Sequence, residues 1–469
     1  MTAKLIDRKT ILRFLGLFGA VASLVTSCCL TVDGLSEPAL RTLGVLIAAL
    51  FLLIFETFNV CVSCMLSCAM LFATGCVDTI AGAFSGFTNH IIYFTTASFG
   101  ISLAFQKSAL SRLFLRMVMG KKKRRVKTVI FIFMFCSAML SSIMSNVAAV
   151  VIFIPFAEHF LSFYKDEAKR RQTSRCMMIC LAVSAMIGGM MTPAGSSMNL
   201  IAGDMLETYA GITVRFIDWV LMGMPLAFIV LTAAFLIITV IYKPAALSDE
   251  EMGSYTGEIS EKPVIVFKDI YTAIVILGVV ATWVISSWVP AINITVTSII
   301  GLAFLFMPKL SVMTGDEFLH SISWPTFFVA GSLITIANTA ISTGLCRFFT
   351  GLLFPENVVL SDFFAIMLIA AITFVFMAFL PSAPAVITIL SPLIITFAQE
   401  NGIDPYALVM ASALCVSNIY LFPLDAPLVV AYDKKAFTMF ELPRATVWIQ
   451  LIMILIVPIW ISFIFNIVF

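Results

Sequence analysis

Long apolar runs alternate along the chain with short connections that hold most of its charged residues. Four windows contain no charged residue at all, namely 57–77, 128–156, 271–306 and 363–398. Each window reaches the roughly 20 residues that a helix needs to cross the hydrocarbon core of a bilayer. The pattern therefore predicts an all-α polytopic membrane protein with about eleven transmembrane helices.

Charged residues and Pro or Gly clusters mark the ends of the individual apolar runs. The predicted spans are 11–31, 39–56, 58–77, 89–106, 174–190, 216–242, 269–287, 290–307, 324–341, 406–420 and 443–467. The first of them follows three basic residues and ends without a small-x-small cleavage site, so we interpret it as a retained anchor.

Two further apolar blocks, 128–163 and 361–399, are too long for one simple span. The first is interrupted near its middle at Ser145, and the second at 381–384, which reads Pro-Ser-Ala-Pro. A helix, a tight turn and a helix that returns to the same side fit both blocks. We therefore predict two re-entrant hairpins.

The placement of Lys and Arg predicts the orientation. All of them except Arg41, Arg215 and Arg347 lie in one set of alternate connections. These connections are 1–13, 107–127, 164–175, 243–268, 308–323 and 431–444. The bias predicts a cytoplasmic N-terminus in a multi-pass protein of a bacterial inner membrane, and it makes the two hairpins enter from opposite sides.

The two halves share an internal spacing. Ser145 precedes Pro155 by the same number of residues as Ser382 precedes Pro392. This match, together with the opposite entry of the hairpins, predicts an inverted repeat. The predicted parts are an N-terminal anchor over 1–38, a first repeat over 39–242, a cytoplasmic linker over 243–268 and a second repeat over 269–469.

A second interruption follows each hairpin, over 192–199 in the first half and 422–429 in the second. Non-helical backbone at membrane depth persists only where protein or a water-filled cavity surrounds it. Paired interruptions at corresponding places in two halves indicate a transporter binding site. We therefore expect the two hairpin tips and the two broken helices to meet near the membrane midplane.

These motifs resemble those of divalent anion/sodium symporters, the INDY-type dicarboxylate carriers. The first hairpin tip reads Ser-Asn-Val-Ala-Ala over 145–149, where the family has Ser-Asn-Thr. The first break ends Gly-Ser-Ser-Met-Asn over 195–199, and the stretch 216–225 is similar to the family's next helix. The resemblance implies a carrier of small dicarboxylate-like anions, a mobile hairpin-bearing unit, a scaffold and a homodimer.

The chain departs from the family pattern mainly in its second half. Val147 replaces the Thr of the first tip, and the second tip reads Ser-Ala-Pro over 382–384, so its amide is missing. The second break has Asp425 where the family has Gly, and Val429 where it has Asn. We expect a sodium site in the first half and lost side-chain ligands in the second.

Helix N-termini and neutral donors suit an anion, whereas a hard cation needs oxygen ligands. The predicted substrate-binding residues are Ser145, Asn146, Val147, Ser196, Ser382, Ala383, Pro384, Ala426 and Pro427. The predicted sodium ligands are Ser141, Ser145, Asn146, Gly195 and Asn199.

Asp425 is the candidate coupling residue, because a carboxylate at membrane depth is costly and points to function. Desolvation can make such a group take up a proton. An N-cap of the following half-helix is one alternative, since the helix dipole stabilises an ionised carboxylate there, and a more solvent-facing loop position is the other.

Composition narrows the remaining choices. Hydrophobic residues make up 61% of the 469 positions and charged residues 12%, about half the share of a soluble domain. The net charge of +2 gives no reason to expect nucleic acid as a partner, so the expected partners are the bilayer, the anion and a second copy. There is no Walker loop, and the three His lack metal-ligand spacing, so no enzyme or organic cofactor is predicted.

Several alternatives stay open from the residues alone. A cation/proton or metalloid antiporter of the same architecture would also use an intramembrane carboxylate. A membrane sensor could keep the fold without moving its ligand, and an intramembrane enzyme would need paired catalytic groups that the sequence lacks. Symport, exchange and the identity of the substrate are not distinguished.

Overall fold

The computed structural model describes residues 8–32, 34–110, 113, 116, 124–259, 265–289, 291–346, 348, 361–379, 383–418, 420 and 425–468. All regular secondary structure in these described ranges is helical. The helices of the first part are α1 (Arg8–Cys29), α2 (Glu37–Ile54), α3 (Val60–Ala73), α4 (Ile80–Ala83), α5 (His90–Lys107), α6 (Val126–Ser141), α7 (Asn146–Ser162), α8 (Glu167–Gly189), α9 (Ser197–Ala210) and α10 (Phe216–Tyr242). Single 3₁₀ turns lie at Ser85–Thr88 and Pro193–Gly195.

The remaining helices begin with α11, which lies within the predicted linker over 243–268. They are α11 (Asp249–Ile259), α12 (Phe267–Ile285), α13 (Ile294–Leu305), α14 (Gly315–Ser321), α15 (Trp324–Ser342), α16 (Asp362–Phe379), α17 (Ala383–Asn401), α18 (Pro405–Val416), α19 (Ala426–Tyr432) and α20 (Leu442–Val468). The predicted all-α polytopic fold is thus confirmed.

Seven helices in the described ranges are long and apolar enough to cross a membrane, namely α1, α2, α10, α12, α15, α17 and α20. Other apolar helices are shorter than their predicted spans. The span predicted over 58–77 contains α3, which ends at Ala73 just before Gly75 adopts a positive φ of 72°. The span predicted over 290–307 contains only the 12 residues of α13, which Asn293 caps.

Polar side chains start many of the helices by accepting hydrogen bonds from the N–H groups of the first turn. These N-cap residues include Ser36, Asn59, Asn89, Asp166, Asn293 and Asp404. Residue types that favour caps therefore determine where several apolar helices begin. Two helices that matter for the site, α7 and α9, begin without such a bond.

The first predicted hairpin corresponds to α6 and α7, which turn between Ser141 and Asn146. The second corresponds to α16 and α17, whose connection at 380–382 lies outside the described residues. Pro155 lies inside α7 and Pro392 lies inside α17. The first block therefore consists of two helices with a break where the sequence is interrupted, and in the second block α16 and α17 lie before and after the undescribed residues.

The first broken helix consists of α8, a single turn and α9. The α8 segment ends at Gly189, and the Thr192 hydroxyl accepts a bond from Gly195 N–H to hold the intervening turn. In the second broken helix, α18 ends at Val416 and α19 begins at Ala426. Part of the connection between these two helices, 419 and 421–424, lies outside the described residues.

Several hydrogen bonds and ion pairs among the described residues join distant segments that the charge pattern assigns to the same side. At the predicted cytoplasmic side, where the span 39–56 and the hairpin block 128–163 also end, the pairs are Arg13–Glu56, Lys107–Glu317, Tyr164–Ala245, Gln172–Lys243 and Lys434–Glu158. Pairs from the opposite set are Ser36–Thr343, Asn89–Asp204, Tyr209–Asn338 and Ile217–Ser287. The alternation of sides is therefore internally consistent.

The Lys107–Glu317 pair gives a test of these connections. Lys107 Nζ donates to Glu317 Oε1 over 2.6 Å, and the Thr314 N–H donates to Glu317 Oε2. Together these two bonds lower the pKa of Glu317 to about 2. A depressed folded pKa adds stability above the unfolded value, and that stability is lost as pH falls through the folded value. We expect Glu317→Gln to lower the thermal unfolding midpoint at neutral pH.

The difference in unfolding midpoint between wild type and Glu317→Gln should shrink as pH falls from about 4.5 towards 2, because the wild-type carboxylate becomes protonated there. It should also shrink in high salt, since both side chains are more than one-third exposed. Thermal unfolding of the purified protein across pH and salt measures both effects. A difference that stays constant across pH would contradict the assigned pair.

Candidate substrate cavity

A cavity of about 650 Å³ lies where α5, α7, α9, α15, α17 and α19 meet. Its lining includes the first turns of four helices, which begin at Asn146, Ser197, Ala383 and Ala426. The lining residues at these starts are Ser145, Asn146, Val147, Ala148, Ala194, Gly195, Ser196, Ser197, Met198, Ala383, Pro384, Asp425 and Pro427. Most of the predicted substrate-binding residues are thus brought together.

Helix N-termini attract anions because their first N–H groups lack partners within the helix and the helix dipole is positive there. Ser145 and Ser196 occupy the N-cap positions of α7 and α9, but neither side chain caps its helix. The Ser196 hydroxyl instead donates to the Met198 sulfur over 3.0 Å. The first turns of these two helices therefore keep N–H donors for a bound anion.

Three of the predicted sodium ligands, Asn146, Gly195 and Asn199, lie around Gly189, which sequence reasoning did not single out. A Cβ at this position would lie 2.4 Å from Asn146 Oδ1, and one at Gly195 would lie 2.6 Å from the Gly189 carbonyl. Asn199 Nδ2 donates to that same carbonyl over 2.8 Å. The Ser141 hydroxyl donates to Asn146 Oδ1 over 2.7 Å.

One polar atom of the Asn199 side chain lacks a hydrogen-bond partner. Its Nδ2 also donates to the Thr192 carbonyl over 2.8 Å, which fixes the amide nitrogen on the side of the two carbonyls. Asn199 Oδ1 is buried without a hydrogen-bond partner, and the residue is 1% exposed. A buried amide oxygen without a hydrogen-bond partner is a candidate ligand for a hard cation.

Ser141 and Asn199 do not line the cavity, whereas Ser145, Asn146 and Gly195 do. The predicted sodium ligands therefore form a layer that reaches from the cavity wall into the buried protein. The Thr192 hydroxyl donates to the Ser142 carbonyl, which ties the broken helix to the hairpin turn.

The second half meets the cavity with fewer polar groups. Ala383, Pro384 and Pro427 line it, while Ser382 and the side chain of Ala426 lie outside the described residues. The Asp425 carbonyl accepts bonds of 3.0 Å from two N–H groups of α19, at Leu428 and Val429. Asp425 is thus the N-cap residue by its backbone, and it is half-buried at the cavity.

Asp425 is the one ionisable residue among the described residues that line the cavity. The described lining also contains no Lys or Arg. An anion bound here must therefore be held by neutral donors and helix N-termini.

The structure adds polar lining residues that sequence reasoning missed. On α5 these residues are Thr95, Ser98, Ser102 and Gln106. Ser321 and Ser323 precede α15, and Thr326 lies in its first turn. The four α5 residues recur at helical spacing on one face of an apolar segment. This polar stripe is the sequence signal that could have revealed that α5 lines the cavity.

The two broken helices contact each other beside the cavity. Ser196 Oγ lies 3.4 Å from Ser417 Oγ, and Asn418 Nδ2 donates to the Met190 sulfur over 3.2 Å. Asn418 Nδ2 also bonds the Leu414 carbonyl at the end of α18. Buried polar contacts therefore join the two halves at their breaks.

The sequence profile of the family described as "Sodium:sulfate symporter transmembrane region" matches residues 13–469. The chain belongs to this family. As a member of the sodium:sulfate symporter family, it is a multi-pass membrane transporter of anions and not an enzyme. The profile covers both interrupted regions, so the resemblance found in the short motifs extends along the chain.

Individual relatives of this family member are distant. An uncharacterized transporter of Haemophilus influenzae is 24% identical over 79% of this chain and 80% of its own length. The citrate/succinate antiporter of Escherichia coli is 26% identical over 57% of this chain and 55% of its own length. The chain thus aligns with little more than half of that antiporter.

A solved structure shows the same fold. The YdaH transporter of Alcanivorax borkumensis superposes with a TM-score of 0.57 over 96% of this symporter-family chain and 98% of the YdaH chain. The two sequences are 14% identical, so the likeness concerns the fold alone.

Proposed function

We propose that the chain is a secondary active carrier of small organic anions, with dicarboxylate-like acids as the first class to test. The anion binds in the cavity at the starts of α7, α9, α17 and α19, and alternating access exposes it to each side in turn. The observation that carries the proposal is the convergence of four helix N-termini on a cavity without Lys or Arg in its described lining. Neutral donors hold an anion reversibly, as a carrier requires.

Sodium is the proposed co-substrate, bound around Gly189 by oxygens of Ser141, Asn146 and Asn199. The buried, unpartnered Asn199 Oδ1 supports this assignment, because a cation would satisfy it. Anion exchange is the other proposed mode, and the antiporter among the relatives supports it. A cytoplasmic N-terminus in a bacterial inner membrane, two inverted repeats and a homodimer complete the proposal.

Reconstitution in liposomes tests this function. Uptake of labelled succinate and of labelled monocarboxylates is measured under a sodium gradient, under a proton gradient and with internal unlabelled anion. We expect saturable uptake of at least one anion class. A requirement for sodium selects symport, and a requirement for internal anion alone selects exchange. Absence of binding and flux for every anion would overturn the proposal.

Asp425 is the proposed proton-coupling residue, since no other described lining residue is ionisable. We expect Asp425→Asn to abolish the pH dependence of transport between about pH 5 and 8, because an amide cannot take up the proton. The control variant is Asp433→Asn, because Asp433 is an exposed carboxylate directly after the end of α19. Unchanged pH dependence in Asp425→Asn would exclude proton coupling through this residue.

A further inference from the structure

A second cavity, of about 890 Å³, lies between the start of α6, the C-terminal part of α10 and the connection that leads into α11. It shares no described lining residue with the substrate cavity. Its volume falls within the range of about 300–1,000 Å³ that is typical of small-molecule sites. The cavity is therefore large enough for a ligand of its own, and the chemistry of its lining indicates the class.

The polar part of this second cavity is basic. Arg124, Arg125 and Lys127 line it, and Asp249 is the one acidic residue among its described lining residues. Arg124 and Asp249 each already interact with another group. Arg125 and Lys127 are exposed, and within the described residues neither side chain has a hydrogen-bond or ion-pair partner. Two such cations at one cavity suit an anion with several acceptor oxygens, as in a phosphate group.

The second cavity also has an apolar part. Phe131 of α6 and Phe235 of α10 line it, and their ring centroids are 5.1 Å apart. Phe131 lies six residues beyond Arg125, which is about 9 Å along the helix axis. Next to Phe235, α10 exposes Leu236, and α10 is long and apolar enough to cross a membrane. The lining therefore changes from charged to apolar along the direction in which α6 enters the membrane.

The charged part of the second cavity lies at a membrane–water boundary. Arg125 directly precedes α6 and Pro244 follows α10, and both belong to connections that are rich in Lys and Arg. The Tyr164 hydroxyl donates to the Ala245 carbonyl over 2.8 Å, which holds the connection after α10 beside the end of the first hairpin. Basic pockets between membrane helices at this level bind the headgroups of anionic phospholipids.

We propose that this second cavity binds one anionic phospholipid, with its phosphate at Arg125 and Lys127 and an acyl chain against Phe131 and Phe235. A phosphate ester in solution would use the same two cations, but it would leave the apolar part of the cavity unfilled. The lipid contacts α6, α10 and the connection into α11, so it joins the first hairpin to the linker. This site is separate from the site of the transported anion.

Lipid titration of the full-length protein, purified in a non-ionic detergent, tests the proposed site. Dioleoylphosphatidylglycerol, dioleoylphosphatidylcholine and soluble glycerol 3-phosphate are added separately, and the apparent dissociation constant is taken from the ligand-induced rise in Tm. We expect phosphatidylglycerol to bind at least about tenfold more tightly than phosphatidylcholine, because the choline cation of the latter offsets the attraction of its phosphate to the two basic side chains. Glycerol 3-phosphate should bind at least about tenfold more weakly than phosphatidylglycerol, because it has no acyl chain to bury.

Two double variants separate this site from general attraction of the protein surface to anionic lipid. Arg125→Gln/Lys127→Gln should bind phosphatidylglycerol about tenfold or more weakly than wild type, because both cations at the phosphate are gone. Lys169→Gln/Arg171→Gln removes the same charge from exposed positions near the start of α8, outside the lining of the second cavity. The affinity of this control for phosphatidylglycerol should stay within about threefold of wild type.

Equal affinity of the two double variants for phosphatidylglycerol would overturn the proposal. Binding of glycerol 3-phosphate as tight as that of phosphatidylglycerol would also overturn it, because the cavity would then be a site for soluble phosphate esters. If Arg125→Gln/Lys127→Gln does not fold, the wild-type titrations decide the matter. Equal binding of the two phospholipids by the wild-type protein, or binding of neither, would then contradict a charge-selective lipid site.

Discussion

Replacing Asn199 with Val should lower transport by about 100-fold or more, because this one side chain holds the first break together and contributes the unpartnered oxygen. The substitution leaves the Gly189 carbonyl without its amide donor, and such a buried orphan costs about 1–3 kcal/mol. The Thr192 carbonyl loses the same amide donor but keeps its bond from the Gly195 N–H. It also copies Val429, the residue at the matching place in the second break. The half-saturating sodium concentration should rise in any residual transport.

Asn401→Val is the matched control for this prediction. Asn401 Nδ2 also donates to a backbone carbonyl, that of Phe397 over 2.9 Å, but at the end of α17 and outside the cavity lining. Transport by this variant should stay within about threefold of wild type, as for a surface substitution. Wild-type sodium dependence in a folded Asn199→Val protein would contradict the assigned cation cluster.

Replacing Gly195 with Ala should lower the rate of transport by about 10- to 100-fold. The added Cβ would lie 2.6 Å from the Gly189 carbonyl oxygen and 3.1 Å from its carbon. These are backbone atoms, so they cannot move aside as the end of a flexible side chain can. The single turn at 193–195 would shift away from α8, and the cavity wall with it.

Gly203→Ala is the control for the glycine substitution. Gly203 lies inside α9, and a Cβ there would meet only Val214 Cβ, at an ordinary 3.9 Å. Alanine favours the helix by up to about 1 kcal/mol, so stability and transport should be unchanged or slightly improved. Equal transport by folded Gly195→Ala and Gly203→Ala would show that the close approach at Gly189 is not required.

The helix interruptions could be predicted from sequence because they leave local signals. Ser145, Gly195 and Asp425 are polar or helix-breaking residues within apolar surroundings, and each lies where a helix begins or ends in the structure. The cost of unsatisfied backbone groups in a membrane makes such interruptions rare outside functional sites. The fold and much of the cavity lining therefore followed from them.

Other parts of the site depend on packing, which the sequence does not reveal directly. Gly189 resembles the small residues that allow apolar helices to pack closely, and only the structure shows Asn146 and Gly195 against it. Thr95 and Ser98 could have faced another helix instead of a cavity. The sequence indicates Asn199 only as a ligand, yet its amide group also fixes the backbone of the break.

A ligand-bound structure of the full chain, determined in sodium-containing buffer at a saturating concentration of the best-transported anion, tests the proposed binding site most directly. The expected result is anion density in the cavity, with its carboxylate within hydrogen-bonding distance of the starts of α7 and α9 at Asn146 and Ser197. Density bound only outside this cavity, at a site without these helix N-termini, would contradict the assignment.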